Sequence, residues 1–429
     1  MRVLLTGATG LIGSAVLTGL AGRGHEVVAV ARNVAAGARL PGGTSCITLD
    51  IATARAPAAW LHHLAGIDAV VNCAGVLQDS PRDSTMGVHV EGASALFAAC
   101  VEAGVRRVVH VSALGVAGDA PTAFARTKHA GDEALMRTSL DWVILKPSVV
   151  VGRAAYGGSA LLRGLAALPV LPSLEHAGRL QIVQLDDLVA TVLFFLAPGA
   201  PAQVRVEIVG PEALSLDAVL GAYRRWLGCG TARSLKVPAW LASVAFRLGD
   251  LAGLLGWRAP LRSTLARELA RGVVGDAAEW TRLTGIRPRS LEAALAAEPA
   301  SVQERWFARL YLLKPVALAT LAFYWIASGL IALGPGADGA VRLIEEAGVG
   351  AARVAVVAAS LADVAIGIGI AVRRTARAAL WAALALSLAY LAAGTLLLAS
   401  LWADPLGPLL KIAPIAALIA VALAILDER

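Results

Sequence analysis

Three glycines near the start of the chain have the residue type and spacing to bind a phosphate group. Gly7, Gly10 and Gly13 lie in TGATGLIGSAV, directly after the apolar run RVLL and at the start of a helical pattern. In such a turn one glycine permits the bend, one lets the backbone approach a pyrophosphate, and one lets helix and strand pack closely. The positive end of the helix would then meet the phosphates. The pattern predicts a dinucleotide-binding turn.

The next apolar run, EVVAVAR, ends in Arg32. A dinucleotide fold that selects NAD offers Asp or Glu near this point to bind the ribose hydroxyls, whereas an arginine can pair with a 2'-phosphate. We therefore expect NADP as the cofactor, with NAD as the alternative. A solvated residue at a strand end is the other interpretation of Arg32.

Several strand-like runs must position this turn. RVLLTG, EVVAVAR, CITLDI, AVVNCAG, RVVHVSA and WVILKPSVVVG alternate with helix-length segments between Met1 and about Ala200. Nearly continuous apolar strands separated by helices are typical of a parallel sheet that is covered on both faces. We predict an α/β doubly wound parallel sheet of the Rossmann type in a domain of residues 1–299, with a small substrate or lid part at about 200–299.

The remaining residues, 300–429, have the composition of a membrane domain. The chain has 57% hydrophobic and 16% charged residues, and apolar stretches cover about 310–333, 354–372, 378–401 and 406–426. Each approaches or exceeds the roughly twenty residues that a helix needs to cross a bilayer. We predict an all-α domain of four transmembrane helices. A soluble four-helix core is the alternative, but these helices show little of the polar face that it needs.

Charge in the loops predicts the orientation of these helices. The second connection holds Arg373, Arg374 and Arg377, whereas the third, WADPLGP, holds only Asp404. Because positive loops stay in the cytoplasm, we expect a multi-pass protein of the inner (cytoplasmic) membrane, with the nucleotide-binding part on the cytoplasmic side.

The remaining charge and the cysteines exclude two other classes of ligand. The net charge of +7 comes without a run of Lys and Arg interleaved with aromatic residues, so we expect no nucleic-acid partner. The cysteines form no CxxC pair and have no His at metal-ligand spacing, so we expect reduced thiols and no metal site. They are Cys46, Cys73, Cys100 and Cys229.

Taken together, the motifs resemble the short-chain dehydrogenase/reductase superfamily in its extended or atypical branch. The resemblance is carried by TGATGLIG (6–13), Arg32, LDI (49–51), NCAG (72–75), VSALG (111–115), Lys128 in FARTK, and KPSVVVG (146–152). VQLDDLVA (183–190) and EIVGPEALSL (207–216) are similar to the branch that includes the nucleotide-binding accessory subunit of mitochondrial complex I. From about Leu310, and in DPLGPLLK (404–411), the chain resembles DoxX-like membrane domains.

This resemblance implies a set of cofactor contacts. The turn would cradle the diphosphate, and other residues would mark the ribose, flank the adenine, line the cofactor or approach the nicotinamide. The diphosphate contacts are Gly7, Thr9, Gly10, Leu11, Ile12 and Gly13, and the ribose contacts are Arg32 and Lys128. The adenine contacts are Asp50 and Ile51, the residues that line the cofactor are Cys73, Ala74 and Gly75, and those near the nicotinamide are Pro147 and Val149.

One residue departs from the superfamily's pattern. Phe124 stands where the superfamily carries the tyrosine that exchanges a proton during hydride transfer, four positions before Lys128. Losing such a group typically costs on the order of a hundredfold to ten-thousandfold in rate. The resemblance leaves Ser112 and Lys128 as catalytic candidates, and Lys128 itself, Tyr156 or His129 as substitute proton donors.

Two classes of function therefore stay open. The first is a membrane-bound oxidoreductase that acts on an apolar substrate such as a quinone or a lipid. The second is a non-catalytic nucleotide-binding sensor or assembly subunit of a membrane complex. The expected partners are the lipid bilayer, an apolar small molecule, and a membrane-complex partner or a second copy of the chain.

Two further stretches carry hypotheses. PAWLASVAFRLGDLAGLLGW (238–257) is apolar, with Arg247 and Asp250 in its middle. We predict either a helix that packs on the domain or an interfacial helix that lies on the bilayer. Asp363 lies inside the second apolar stretch, where an acid is costly, so we expect a functional or interhelical role.

Overall fold

A parallel sheet organises the first part of the chain in the computed structural model, which describes residues 1–33, 40 and 44–427. The strands are β1 Arg2–Thr6, β2 Glu26–Ala31, β3 Ser45–Thr48, β4 Ala69–Asn72, β5 Arg107–Val111, β6 Asp141–Pro147, β7 Val149–Val151, β8 Val170–Ser173, β9 Leu180–Gln184, β10 Val204–Ile208, β11 Ala213–Leu214 and β12 Arg233–Lys236. Seven of them form one sheet in the order β10-β6-β5-β4-β1-β2-β3, and its neighbouring strands are parallel. The predicted fold class is confirmed.

The apolar runs become strands because both faces of the sheet are buried. Successive side chains of a strand point to opposite faces. Leu4 and Val70 lie in the core on one face, whereas Leu5 and Val71 lie in the core on the other. A strand with two buried faces needs apolar residues at consecutive positions, and this explains the continuous runs.

Helices cover the two faces. Those of this part of the chain are α1 Leu11–Gly22, α2 Ala58–Leu61, α3 Gly92–Ala103, α4 Ala123–Met136, α5 Gly157–Ala166, α6 Leu185–Leu196, α7 Leu216–Trp226, α8 Ala239–Leu254, α9 Ser263–Arg271, α10 Ala278–Thr284 and α11 Leu291–Ala297, with a π-helix at Gly87–Glu91. Leu17 of α1 and Val192 of α6 pack on one face, and Phe97 of α3 packs on the other.

A smaller core lies beside the main sheet. Strands β11, β9 and β7 form one small sheet, and β12 pairs with β8. Tyr223 and Leu220 of α7 are buried there with Leu162 of α5 and Leu291 of α11. The predicted substrate or lid part at about 200–299 supplies about half of this core.

The chain divides into two compact units. The first consists of Met1–Asp250 and Ala259–Ala308, and the second of Leu251–Arg258 and Arg309–Arg429. The second unit is helical. Its elements, with the helix that leads into it, are α12 Val302–Tyr311, α13 Leu313–Leu333, α14 Ala337–Glu346, α15 Ala352–Ala371, α16 Ala376–Leu397 and α17 Ile412–Ile425, with a 3-10 helix at Ala399–Trp402.

Three segments of the described residues are long and apolar enough to cross a bilayer: Val302–Leu333, Ala352–Ala371 and Ala376–Leu397. The fourth apolar helix, α17, has 14 residues and is shorter than a full crossing requires. The fourth predicted stretch starts at about 406, but its first residues form a turn in which Gly407 has a φ of 56°. The sequence thus predicts four transmembrane helices, and three helical segments of the described residues have the length of a span.

Glycines bring two of these helices close together. A Cβ atom on Gly329 of α13 would lie 2.4 Å from the carbonyl oxygen of Ser360 in α15. A Cβ atom on Gly367 of α15 would lie 2.8 Å from the carbonyl oxygen of Ala322 in α13. Small residues at such positions let helix backbones approach each other, which is how helices associate in lipid.

Candidate cofactor and active site

The glycine turn has the geometry that the sequence predicts. Gly7 has a φ of 67°, and a Cβ atom there would lie 2.6 Å from the carbonyl oxygen of Cys73. A Cβ atom on Gly13 would lie 2.1 Å from the carbonyl oxygen of Gly7. Among the described residues outside its immediate chain neighbours, a Cβ atom on Gly10 would come within 4 Å of the Gly7 carbonyl oxygen alone, at 3.3 Å. Gly7 and Gly13 therefore allow tight packing, while Gly10 leaves space for a ligand to approach the backbone.

The helix that follows presents its amides to the same space. Helix α1 begins at Leu11 after Gly10, and among the described residues no side chain caps it and no acidic residue lies in its first turn. The first amides of a helix have no partner within the helix, so a phosphate can accept from them. Thr9, Leu11 and Ile12 complete this turn.

Arg32 lies directly after the last residue of β2, as expected for a residue near the ribose. Its guanidinium forms an ion pair of 2.5 Å with Asp83 and lies 3.5 Å from the carbonyl oxygen of Arg82. An arginine has five N–H donors and can bind a phosphate as well as a carboxylate. Asp83 offsets part of its charge, however, so this geometry is compatible with NADP and with NAD.

Asp50 and Ile51 follow β3 at the same edge of the sheet. The amide of Ala52 donates to Asp50 Oδ1 at 3.0 Å, and this closes a short turn. Ile51 is buried, and a Cβ atom on Gly92 would lie 2.1 Å from its carbonyl oxygen. Gly92 thus allows α3 to pack against the segment that is predicted to flank the adenine.

Lys128 meets the ends of two strands. Its Nζ donates to the carbonyl oxygen of Val111 at 2.8 Å and lies 3.4 Å from that of Ala74. A Cβ atom on Gly75 would lie 3.4 Å from the same Nζ. The structure therefore brings Lys128 beside the Cys73–Gly75 segment that is predicted to line the cofactor.

Burial shifts the pKa values of Lys128 and Cys73. It lowers the pKa of Lys128 to about 8, although Asp132 and Cys73 act in the opposite direction. Burial also raises the pKa of the Cys73 thiol to about 12, with a smaller opposing effect from Lys128. At neutral pH the lysine is therefore mostly charged but able to lose a proton, and the thiol is a neutral packing group.

Ser112, the other catalytic candidate, donates its hydroxyl proton to a buried acid. Its Oγ lies 2.8 Å from Oδ2 of Asp132, and Lys146 Nζ lies 3.7 Å from the same oxygen. Burial alone would raise the pKa of Asp132, but His110, Ser112 and Lys128 lower it below its ordinary value. Because Asp132 is ionised, the proton of Ser112 is not free for a substrate carbonyl in this arrangement.

A row of polar side chains crosses the sheet behind Ser112. Thr6, Asn72 and His110 are register partners on β1, β4 and β5. Thr6 Oγ1 donates to Asn72 Oδ1 at 2.6 Å, and Asn72 Nδ2 lies 3.0 Å from His110 Nδ1. Since the amide nitrogen is a donor, His110 carries its proton on Nε2, which lies 3.4 Å from Asp132 Oδ1. The sequence motifs do not predict this network.

Phe124 occupies the position of the missing phenol, near a buried histidine. It lies in the first turn of α4, and the side chain of Thr122 caps that helix by accepting from the amide of Ala125. The phenyl ring is 5.8 Å from the ring of His89 in an edge-to-face arrangement.

His89 cannot replace the phenol as a proton donor. Its Nε2 accepts from the amide of Val76 at 3.0 Å, so the proton lies on Nδ1, 2.9 Å from Thr127 Oγ1. Burial, followed by Lys128 and His110, lowers the pKa of His89 to about 2. The imidazole is neutral and its two nitrogens are occupied.

Two other proposed donors have different surroundings from Lys128. His129 Nε2 lies 3.3 Å from Glu133 one turn further along α4. Tyr156 precedes α5 as its N-cap residue. Of the three substitute donors, Lys128 is the one that contacts the strand ends predicted to line the cofactor.

The last predicted contacts lie at the same edge of the sheet. Pro147 ends β6, its carbonyl oxygen accepts from the amide of Leu114 at 2.9 Å, and Val149 starts β7. The described residues contain no group of three or more His, Cys, Asp or Glu side chains that could hold a metal ion. Lys128 reaches the strand ends from α4. The other predicted cofactor residues lie at or after the carboxyl ends of neighbouring parallel strands, where ligands bind in open α/β sheets.

Comparison with known proteins assigns both parts of the chain. Residues 7–163 match the NAD(P)H-binding family, and residues 322–420 match the DoxX-like family. The chain therefore combines an NAD(P)-binding Rossmann domain with a DoxX-like membrane domain, as the motifs indicate.

Curated relatives include reductases. Sterol demethylase protein B of Methylococcus capsulatus is 26% identical over 331 residues, which cover 71% of this chain and 99% of that protein. Ceramide reductase of Caulobacter vibrioides is 28% identical over 195 residues, 45% of this chain and 60% of that protein. An uncharacterized protein of Mycobacterium tuberculosis is 28% identical over 230 residues, 52% of this chain, but the chain spans only 23% of that protein's length.

Solved structures show the same fold. The enzyme WbmG of Bordetella bronchiseptica in complex with NAD superposes with a TM-score of 0.54 at 19% identity, covering 70% of this chain and 92% of that one. At this identity the likeness shows the fold alone.

Proposed function

We propose that this protein is a membrane-anchored oxidoreductase that binds NADP(H) in preference to NAD(H) and transfers hydride to an apolar acceptor such as a quinone or a lipid. The observation that carries the proposal is the set of proton donors around Lys128. Phe124 has no hydroxyl, and Ser112 gives its proton to Asp132. Lys128 is left as the candidate donor that the strand ends hold in place.

Such a site suits an acceptor whose reduction does not depend on a positioned proton donor. Hydride addition to an isolated carbonyl produces an alkoxide, which a positioned acid must protonate. Hydride addition to a quinone produces an anion whose charge is delocalised over the ring, and water or Lys128 can supply the proton. In balance, NADPH, one proton and the quinone become NADP⁺ and the hydroquinone. A quinone would therefore lose less than an isolated ketone from the absence of the phenol.

Other observations support the remaining parts of the proposal. The preference for NADP rests on Arg32 at the end of β2. An apolar substrate agrees with the membrane domain and with relatives whose names refer to a sterol and a ceramide. The cytoplasmic position of the Rossmann domain rests on the arginines of the second membrane connection, where Arg373 pairs with Asp427 at 2.9 Å.

The test uses the full chain in detergent, loaded with NADPH. Adding a short-chain quinone should oxidise the cofactor, as followed by NADPH absorbance. Phe124→Tyr restores a phenol four positions before Lys128 and should increase reduction of a simple ketone, by up to the order of a hundredfold, with a smaller change in quinone reduction. Lys128→Met removes the ammonium group of the remaining candidate donor and should weaken cofactor binding. NADPH that stays bound and unconsumed across quinones, ketones and lipids would contradict the proposal.

The second candidate is a nucleotide-binding sensor or assembly subunit without turnover. The bond from Ser112 to Asp132 favours it, because a serine that donates to a buried carboxylate does not orient a substrate. Asp132→Asn removes the charge that holds this proton. If neither the original chain nor Asp132→Asn or Phe124→Tyr consumes bound NADPH, the non-catalytic function is the better account.

A further inference from the structure

Helix α8, residues Ala239–Leu254, has two apolar faces, and its own chain covers one of them. Phe246 is buried with an exposed fraction of 9%. A Cβ atom on Gly249 would lie 1.6 Å from the carbonyl oxygen of Leu261, so the backbones touch there. Asp250 accepts from Arg262 Nε at 3.2 Å and from the hydroxyl of Ser263. This face is firmly packed.

The opposite face carries a stripe of exposed large apolar side chains. Their exposed fractions are 69% for Trp240, 45% for Leu241, 44% for Val244, 61% for Leu248, 53% for Leu251 and 73% for Leu254. The spacing of one, three and four residues places them on one side of the helix. Soluble proteins expose single apolar residues routinely, but a contiguous stripe of this kind marks an interaction surface.

The end of the helix indicates what covers the stripe. Leu251–Arg258 form part of the membrane unit. Trp257 Nε1 donates to the carbonyl oxygen of Ala371 at 2.7 Å, and the amide of Arg373 donates to that of Leu255 at 3.0 Å. Since Ala371 is the last residue of a membrane-spanning helix, these bonds hold the C-terminal end of α8 at the level where that helix leaves the hydrocarbon.

The side chains at this end are those found at membrane surfaces. The guanidinium of Arg373 lies 5.5 Å from the centroid of the Trp257 ring. Tryptophan and arginine are enriched where helices leave the bilayer. Leu251 and Leu254 therefore continue the surface of a lipid-facing unit.

We propose that the exposed stripe of α8, from Trp240 to Leu254, is a bilayer-docking surface that lies among the lipid headgroups and the first carbons of the acyl chains. The helix is then an interfacial helix, the second of the two interpretations open from its sequence. Arg247 is exposed on the same helix, has no ion-pair partner among the described residues, and is available to lipid phosphates. A continuous lipid surface explains the stripe without a further protein.

Fluorescence quenching tests this proposal on the full chain. The protein is reconstituted at one chain per nanodisc, with lipids brominated near the headgroup or deep in the acyl chain. Trp240→Phe should remove part of the quenching by the shallow bromines and little of that by the deep ones. Trp226→Phe is the matched control, because Trp226 is partly buried and donates to the carbonyl oxygen of Glu298 in the nucleotide-binding unit. Its loss should leave lipid quenching unchanged.

A second measurement tests the same proposal if Trp240→Phe folds poorly. A nitroxide on Leu248→Cys, in a Cys46→Ser background that removes an exposed thiol, should be more accessible to oxygen than to a water-soluble nickel complex. The same label on Asp119→Cys, an exposed loop site, should show the reverse.

Two results would overturn the proposal. In one, Trp240→Phe leaves the lipid quenching unchanged and the label on Leu248→Cys behaves like that on Asp119→Cys. In the other, both sites are shielded from water-soluble quenchers but untouched by brominated lipid. The stripe would then be covered by a second copy of the chain or by a partner protein.

Discussion

Each unit of the molecule buries an aspartate, and the two are satisfied in different ways. Asp132 in the nucleotide-binding unit is 1% exposed and lies near Ser112, His110 and Lys146. Asp363 in the membrane unit is 6% exposed and accepts from the hydroxyl of Tyr390 at 2.9 Å. The first acid has cationic and neutral donors, whereas among the described residues no Lys or Arg pairs with the second.

Asp132 belongs to an extended polar network, whereas Asp363 belongs to a small group of side chains. Removing Asp132 disturbs Ser112 and the row of Thr6, Asn72 and His110 across the sheet, because each polar group depends on the next. Asp363 joins α15 to α16 through Tyr390 and to α13 through Ser328. Its loss should affect helix packing and leave the cofactor edge intact. The glycines of the two units should differ in the same way: a change in the nucleotide-binding unit should affect the cofactor edge, and one in the membrane unit should affect helix packing.

The largest expected effect on cofactor binding is that of Gly13→Ala. The new Cβ atom would lie 2.1 Å from the carbonyl oxygen of Gly7, so the turn that meets the phosphates must move. NADPH affinity, measured by calorimetry in detergent, should fall more than about tenfold, or about 1.4 kcal/mol. Gly22→Ala is the matched control on the same helix, since a Cβ atom there would meet no other described part of the chain within 4 Å. Unchanged affinity in Gly13→Ala would remove the phosphate site from this turn.

Gly329→Ala is the counterpart in the membrane unit. Its Cβ atom would lie 2.4 Å from the carbonyl oxygen of Ser360, so α13 and α15 must separate. We expect a lower thermal midpoint in detergent with NADPH affinity unchanged. A loss of affinity in this variant would break the contrast between the two units.

Asp132→Ala should have the largest effect on the free energy of unfolding. Removing the acid leaves Ser112, His110 and Lys146 without their buried acceptor, and breaking a buried ionic group in this way typically costs about 3–5 kcal/mol. Hydrogen exchange of the β5 and β6 amides should accelerate. Asp132→Asn keeps an acceptor for Ser112 and should cost less, and Asp119→Ala, an exposed acid, should cost little. Equal costs for the three would show that the network has no energetic role.

The sequence predicts the parts of this structure that follow from one segment at a time. Continuous apolar runs predict a doubly wound parallel sheet because both of its faces are buried. The glycine spacing predicts the turn because Gly7 and Gly13 each meet a backbone atom at close range. The last apolar helix begins at Ile412, later than the apolar run, because the turn around Gly407 interrupts it.

The polar network could not be read from single segments. Thr6, Asn72 and His110 lie in three separate strands, and only the parallel register makes them neighbours. Asp132 reaches Ser112 from a helix twenty residues further along the chain. The available signal was a polar residue within each of these otherwise apolar strands. It indicates a polar layer only when the strand order is known.

The smallest expected effect is that of Tyr390→Phe in the membrane unit. The change removes one hydroxyl from Asp363 and leaves the one from Ser328. Interhelical hydrogen bonds in membranes are worth about 1 kcal/mol, because alternative partners exist in the unfolded state within the bilayer. Thermal unfolding in detergent should show a small destabilisation, with NADPH affinity unchanged. Adding Ser328→Ala should cost more than the sum of the two changes, since Asp363 then has neither donor. If Tyr390→Phe alone costs as much as Asp132→Ala, the membrane acid also belongs to an extended network, and the difference between the two units is one of composition only.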